Sequence, residues 1–154
     1  MAPESDNYVK ILIRFYSDIF DEEIVETMWA EIIDKNNGLY KIDNIPFYAP
    51  LASDDIVFAE YDDIEEVLTF RRTVEYSGNS TIQVVIFEKD KDTNSVRKVF
   101  EDLGCSTEKF KEGYFVIEVL STMNYQPIKI ILDELRDSKV IDYAEPCLAE
   151  GHRK

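Results

Sequence analysis

Apolar residues recur at every second position from near the start of the chain. Val9, Ile11, Ile13 and Phe15 alternate with Lys10, Leu12, Arg14 and Tyr16, the period of a strand with one buried face. An acidic loop follows at 18–23, and 27–33 reads as a second strand. Asn36-Asn37-Gly38 is a turn signal leading into Leu39-Tyr40-Lys41-Ile42. Pro46 and Pro50 bracket a loop from which Ile45, Phe47 and Tyr48 are expected to turn inward. Next come a strand at 56–61, an acidic turn at 62–66, and a long strand with Leu68, Phe70, Arg72, Val74 and Tyr76 on one side. Ser77-Gly78-Asn79-Ser80 then turns the chain into a strand presenting Ile82, Val84 and Ile86 on one face.

Beyond residue 86 the period changes. Val96, Val99, Phe100 and Leu103 fall at i, i+3, i+4 and i+7, the stripe of an amphipathic helix closed by Gly104. Asp92, Thr93 and Asn94 are all suited to cap its start. A hairpin is expected from 105–110 and 114–120 around Lys111-Glu112-Gly113. Pro127 suits the first turn of a second helix, whose stripe is Ile128, Ile131, Leu132 and Leu135. A last strand spans 140–148, and Pro146 marks it as an edge.

From Thr81 onward the order is strand, helix, strand, strand, helix, strand, which is the ferredoxin-like β-α-β-β-α-β order. The earlier part is all strand and turn, which predicts a small barrel or a curved meander. The expected fold is therefore α+β, with an all-β lobe at 8–79 and a ferredoxin-like lobe at 80–149. Flexible tails are expected at 1–7 and 150–154. Trp29-Ala30-Glu31, Phe58-Ala59-Glu60 and Tyr143-Ala144-Glu145 look alike, and are read as convergent strand composition rather than a repeat.

Several of these pieces, taken with their neighbours, are similar to a known family. They are Trp29-Ala30-Glu31, Gly38-Leu39-Tyr40 and Asp43-Asn44-Ile45-Pro46-Phe47 leading to Leu51. Asp55-Ile56-Val57, Glu75-Tyr76-Ser77-Gly78-Asn79-Ser80-Thr81 and Leu103-Gly104-Cys105 complete the set. Across 9–148 the chain resembles the bacterial domain-of-unknown-function family 4265. The resemblance implies no activity, cofactor or catalytic residue. Its most distinctive piece, Ser77 to Thr81, reads as a hairpin whose polar side chains bond the local backbone.

Charge sharpens the picture. Residues 1–66 hold 17 acidic and four basic side chains, net −13 of the chain's −15. Such a field repels nucleic acid and anionic membrane and speeds encounter with a basic protein, although it also serves solubility alone. No apolar run approaches the roughly 20 residues that span a bilayer. Lys10 and Arg14 interrupt the first apolar stretch, which is wrong for a signal peptide, so a cytoplasmic protein is expected. Cys105 and Cys147 are not spaced as a redox or zinc pair and are expected to be inert.

Candidate chemistry is sparse. The sole histidine, His152, lies in a terminal segment expected to fray, a poor place to hold a general base. Asp90, Asp92, Asn94 and Glu101 follow an EF-hand count, but Ser95 stands where the loop needs Gly, so helix capping is the better reading. Carboxylate pairs such as Asp54 with Asp55 and Asp62 with Asp63 sit in polar turns, where nothing perturbs them toward acid–base work. The expectation is a non-enzymatic protein that binds neither metal nor cofactor. Its densest acidic piece, Asp54, Asp55, Glu60, Asp62, Asp63, Glu65 and Glu66, is the candidate partner-binding surface. The sharpest form of this reading is an immunity or antitoxin-type inhibitor of a basic toxin domain, such as a nuclease. Two alternatives stand beside it. One is a ligand-binding or regulatory module lined by aromatics such as Tyr40, Phe47, Tyr48, Phe70 and Tyr76, and the other is an enzyme without a recognisable motif.

Overall fold

The computed structural model describes residues 7–17 and 20–153. Most of the expected N-terminal tail, positions 18–19 of the acidic loop, and Lys154 lie outside the described residues. The chain divides into two compact units between Ser77 and Gly78, two residues before the expected boundary.

In the first unit, β1 (Tyr8–Ser17), β2 (Glu22–Asp34), β3 (Leu39–Ile42), β4 (Ile56–Asp62) and β5 (Val67–Glu75) form a closed barrel. The ring closes where β1 runs parallel to β5, with Leu12 opposite Thr69. Closure removes the open strand edges that invite aggregation. Alternation carries Ile11 and Ile13 inward, with Met28 opposite Ile11. They join Ala30, Tyr40, Ile42, Val57 and Ala59 in one buried cluster. β2 starts five residues earlier than expected, because β1 keeps its pairing as far as Ser17 opposite Glu22. Part of the expected acidic loop is therefore strand.

Gly38 caps a 3₁₀ turn at Lys35–Asn37 with φ +71°. A Cβ there would stand 2.7 Å from the Phe58 ring, so both conformation and space require glycine. β5 departs from simple alternation. Leu68 and Phe70 pack on the core as expected, but the register slips twice against β4. Thr73 rather than Arg72 or Val74 then stands opposite buried Val57. Each extra residue in a bulge resets which side chains face inward. Tyr76 follows the strand and is largely exposed.

The second unit runs β6 (Ser80–Ile86), α1 (Thr93–Glu101), β7 (Ser106–Lys111), β8 (Tyr114–Val119), α2 (Gln126–Asp137) and β9 (Ile141–Cys147). Its four strands lie in the order β7-β8-β6-β9, all neighbours antiparallel. Pro146 sits on edge strand β9, where a missing N–H is tolerated. Val96 and Phe100 of α1 and Ile128 and Leu132 of α2 cluster with Ile82, Val84, Phe115, Ile117 and Val119. Both helices therefore cover one sheet face. Val99 and Leu103 stay about 40% exposed, because α1 ends at Glu101 and only its Val96–Phe100 ridge meets the sheet. Asp92 is the N-cap but makes no side-chain cap bond. Buried Thr93 holds the helix start instead: its Oγ1 donates to Glu112 at 2.8 Å and accepts from Gly113 N at 2.8 Å.

Two expectations are corrected here. Residues 150–153 do not fray; Glu150–His152 form a 3₁₀ turn that buries His152. Ser77 to Thr81 is not a hairpin turn, since β5 belongs to the barrel and β6 to the four-stranded sheet. The polar side chains of this stretch bond residues far along the chain. Asn79 Oδ1 accepts from Ser121 N at 2.9 Å, and Ser80 Oγ accepts from Ala149 N at 2.8 Å.

Candidate partner-binding surface

The β4–β5 hairpin gathers five of the seven acidic residues singled out in the sequence. Asp62 organises the turn. Its Oδ1 accepts from Ile64 N at 2.8 Å and Glu65 N at 2.9 Å, while its carbonyl accepts from Glu66 N. Glu66 closes the turn at φ +59°, a left-handed conformation. The Glu65 and Ile64 backbone donors, together with the Arg71 guanidinium, hold the Asp62 carboxyl down to about 2. Arg71 reaches Asp62 at 2.8 Å and Glu60 at 3.0 Å. Arg14 on β1 reaches Glu65 at 2.7 Å and Glu23 at 2.6 Å. Glu60, Asp62 and Glu65 thus spend part of their charge inside the unit. Asp63 and Glu66 are exposed and face solvent at the tip.

The other two residues separate from this group. Asp54 is exposed, but it precedes β4 at the strand end opposite the hairpin. A strand of that length spans about 20 Å, so the seven carboxylates are not one patch. Asp55 is only 1% exposed, which removes it from any partner surface. Its Oδ2 accepts from Ala52 N at 3.1 Å and its Oδ1 from Ser77 N at 2.8 Å. Burial raises its carboxyl from the ordinary aspartate value.

Glu26 is a structural carboxylate that period and charge did not single out. It accepts from three successive backbone donors, Phe47 N at 2.7 Å, Tyr48 N at 3.0 Å and Ala49 N at 2.8 Å. Successive N–H groups of this kind form an anion-binding nest, and here the chain's own glutamate fills it. The bond ties the Pro-bracketed loop to the barrel and leaves Phe47 and Tyr48 only half-buried. Of the five aromatics named as a possible ligand lining, Tyr40 belongs to the core cluster and Phe70 packs against it.

His152 and Ser80 form the most nucleophile-like pair in the second unit. Ser80 Oγ lies 2.6 Å from His152 Nδ1, and His152 Nε2 lies 3.1 Å from the Leu120 carbonyl. A carbonyl only accepts, so Nε2 carries a proton, and in the neutral imidazole Ser80 is then the donor to Nδ1. Ser80 is fully buried and also accepts from Ala149 N, so its oxygen is enclosed rather than presented. The pair is a clamp on the chain end, with the Tyr125 ring 5.9 Å from the imidazole. His152→Ala is expected to cost about 1–3 kcal/mol by leaving the buried Ser80 hydroxyl without its imidazole partner, with His152→Gln recovering part, as measured by urea unfolding.

Cys105 lies in the core, where burial pushes its thiol up to about 11. Among the described residues, no three His, Cys, Asp or Glu side chains gather as metal ligands. No helix among them is long and apolar enough to cross a membrane.

Comparison with known proteins agrees with the resemblance seen in the sequence. The chain is similar to a hypothetical protein from Neisseria gonorrhoeae of known crystal structure, at 27% identity and a TM-score of 0.76. The match covers 91% of this chain and 94% of that one. A search of curated proteins finds no match. Residues 26–143 match the family model of a domain of unknown function, DUF4265, and the chain belongs to that family.

Proposed function

We propose that this chain is a non-enzymatic, cytoplasmic protein-binding module that docks a basic protein through the barrel's acidic β4–β5 hairpin. In its sharpest form it is an immunity or antitoxin-type inhibitor that neutralises a basic toxin domain. The observation that carries the proposal is the asymmetry of charge combined with a turn that presents it. The first unit holds 18 acidic and six basic side chains, net −12, against 14 and 11, net −3, in the second. A field of that size steers oppositely charged partners and raises on-rates. The second unit is read as ferredoxin-like, a reading supported by its element order and by β6 lying between β8 and β9. That arrangement hosts many functions and argues for none.

The test uses carboxylates that fold nothing. Asp63→Asn with Glu66→Gln should leave the melting midpoint within a degree or two, because solvated charges contribute little. It should slow association with immobilised poly-lysine several-fold at low salt and flatten the salt dependence of the on-rate. Glu108→Gln with Asp137→Asn, exposed acids of the second unit, is the control. Equal losses from both pairs would leave only net charge and remove the hairpin from the proposal. A basic toxin domain encoded beside this chain, and inhibited by it, is the corresponding test of the immunity reading.

A further inference from the structure

The acidic hairpin also carries apolar side chains that the barrel does not bury. Ile64, centred between Asp62-Asp63 and Glu65-Glu66, is 90% exposed, and Tyr61 and Val67 beside the turn are 62% and 38% exposed. Large aliphatic side chains gain stability when buried, so an isoleucine held almost wholly in water is an unused contact surface. Its presentation is set by the fold. Asp62 grips Ile64 N and Glu65 N, Arg71 grips Asp62 from β5, and Arg14 grips Glu65 from β1. The side chain therefore stands on a turn braced from two strands, and little ordering remains to be done on binding.

We propose that Ile64 is the apolar anchor of the docking surface, flanked by Tyr61 and ringed by carboxylates. The partner that fits is a basic protein surface with an apolar pocket rimmed by Lys or Arg. This rests on the acidic-module reading and deepens it by dividing the labour. Asp63 and Glu66 attract the partner, and Ile64 holds it. Interfaces concentrate affinity in a few desolvated apolar groups surrounded by a polar rim, which is the composition of this turn. Charge complementarity decides the partner's rim: a neutral or acidic pocket would have to desolvate Asp63 and Glu66 without compensation.

Two synthetic probes separate the parts: an amphipathic peptide of Lys and Leu, and one of equal charge with each Leu replaced by Ser. Binding to the full chain is followed by fluorescence anisotropy at low salt and at about 0.5 M salt, where screening is strong. The Lys–Leu peptide should keep a salt-resistant component that the Lys–Ser peptide lacks. Ile64→Ser should weaken the Lys–Leu peptide about tenfold and leave the Lys–Ser peptide unchanged. Val74→Ser, at an exposed apolar residue near the end of β5 opposite the turn, should change neither. Melting midpoints for both variants should match the parent, which excludes unfolding as the cause. If the two peptides bind alike and Ile64→Ser changes neither, the anchor is wrong while the acidic module stands. If Val74→Ser weakens the Lys–Leu peptide as much as Ile64→Ser, the contact is non-specific and the anchor is again wrong. If neither peptide binds the parent chain at low salt, the acidic-module reading itself fails.

Discussion

Phe100→Ala is expected to destabilise the second unit by about 3–5 kcal/mol. The ring is fully buried, packs 6.2 Å from the Phe115 ring, and belongs to the cluster that joins both helices to the sheet. Truncation removes its transfer free energy and leaves a cavity that rigid strands on one side cannot collapse to fill. Leu132→Ala, also fully buried but on α2, should cost about 2–5 kcal/mol for the same reason. The measurement can address each unit by its own signal. Trp29, the only tryptophan, lies on β2, while both α-helices lie in the second unit. Urea titrations followed by the helical circular-dichroism band should show the midpoint falling in both variants. An unchanged midpoint would mean that the helices do not form this core.

Much of this architecture was legible because burial leaves a period. Ile11 and Ile13 on β1, Ile82 and Val84 on β6, and the Val96–Phe100 and Ile128–Leu132 ridges each announce one buried face. Pro127 marked the start of α2 and Pro146 an edge strand for the same local reason, the missing N–H. What was not legible depends on partners far along the chain. The two bulges of β5 come from its register against β4, which no alternation within 67–75 encodes. His152 looked like part of a frayed end because its partners, Ser80 and the Leu120 carbonyl, lie 72 and 32 residues away.

The acidic surface divides along the same line. Asp63 and Glu66 are the exposed charges that composition implied, and Ile64 stands out only as an apolar break in an acidic run. Asp55 and Glu26 belong to the same excess of carboxylates, yet both serve as hydrogen-bond acceptors for backbone. Asp62 serves both roles at once. Composition counts charges, but only the fold distinguishes a carboxylate in water from one filled by backbone N–H groups. The cue available in the sequence was weak: Asp55 directly precedes the apolar run Ile56-Val57-Phe58-Ala59, and Glu26 lies next to the stretch, beginning at Thr27, that reads as a strand.

Asp55→Ala provides the sharpest separation of those two classes. The substitution leaves Ala52 N and Ser77 N without their acceptor, and an unsatisfied buried donor costs about 1–3 kcal/mol each. A loss of about 2–6 kcal/mol is therefore expected in the first unit, read by Trp29 fluorescence in urea. Asp55→Asn keeps one acceptor oxygen and should recover part of it. Burial raises the Asp55 carboxyl, so the folded protein holds that proton to higher pH than the unfolded chain does. An acid shifted in that direction makes stability fall as pH rises through the carboxylate range, and Asp55→Asn should remove this slope. Its neighbour Asp54 is the control. It is exposed at φ +68°, a conformation that Asn tolerates, so Asp54→Asn should leave stability nearly unchanged. Poly-lysine association measured on the folded Asp55→Asn protein should match the parent at every salt concentration. A slower on-rate there, equal to that of Asp63→Asn with Glu66→Gln, would return Asp55 to the docking surface and remove its structural assignment.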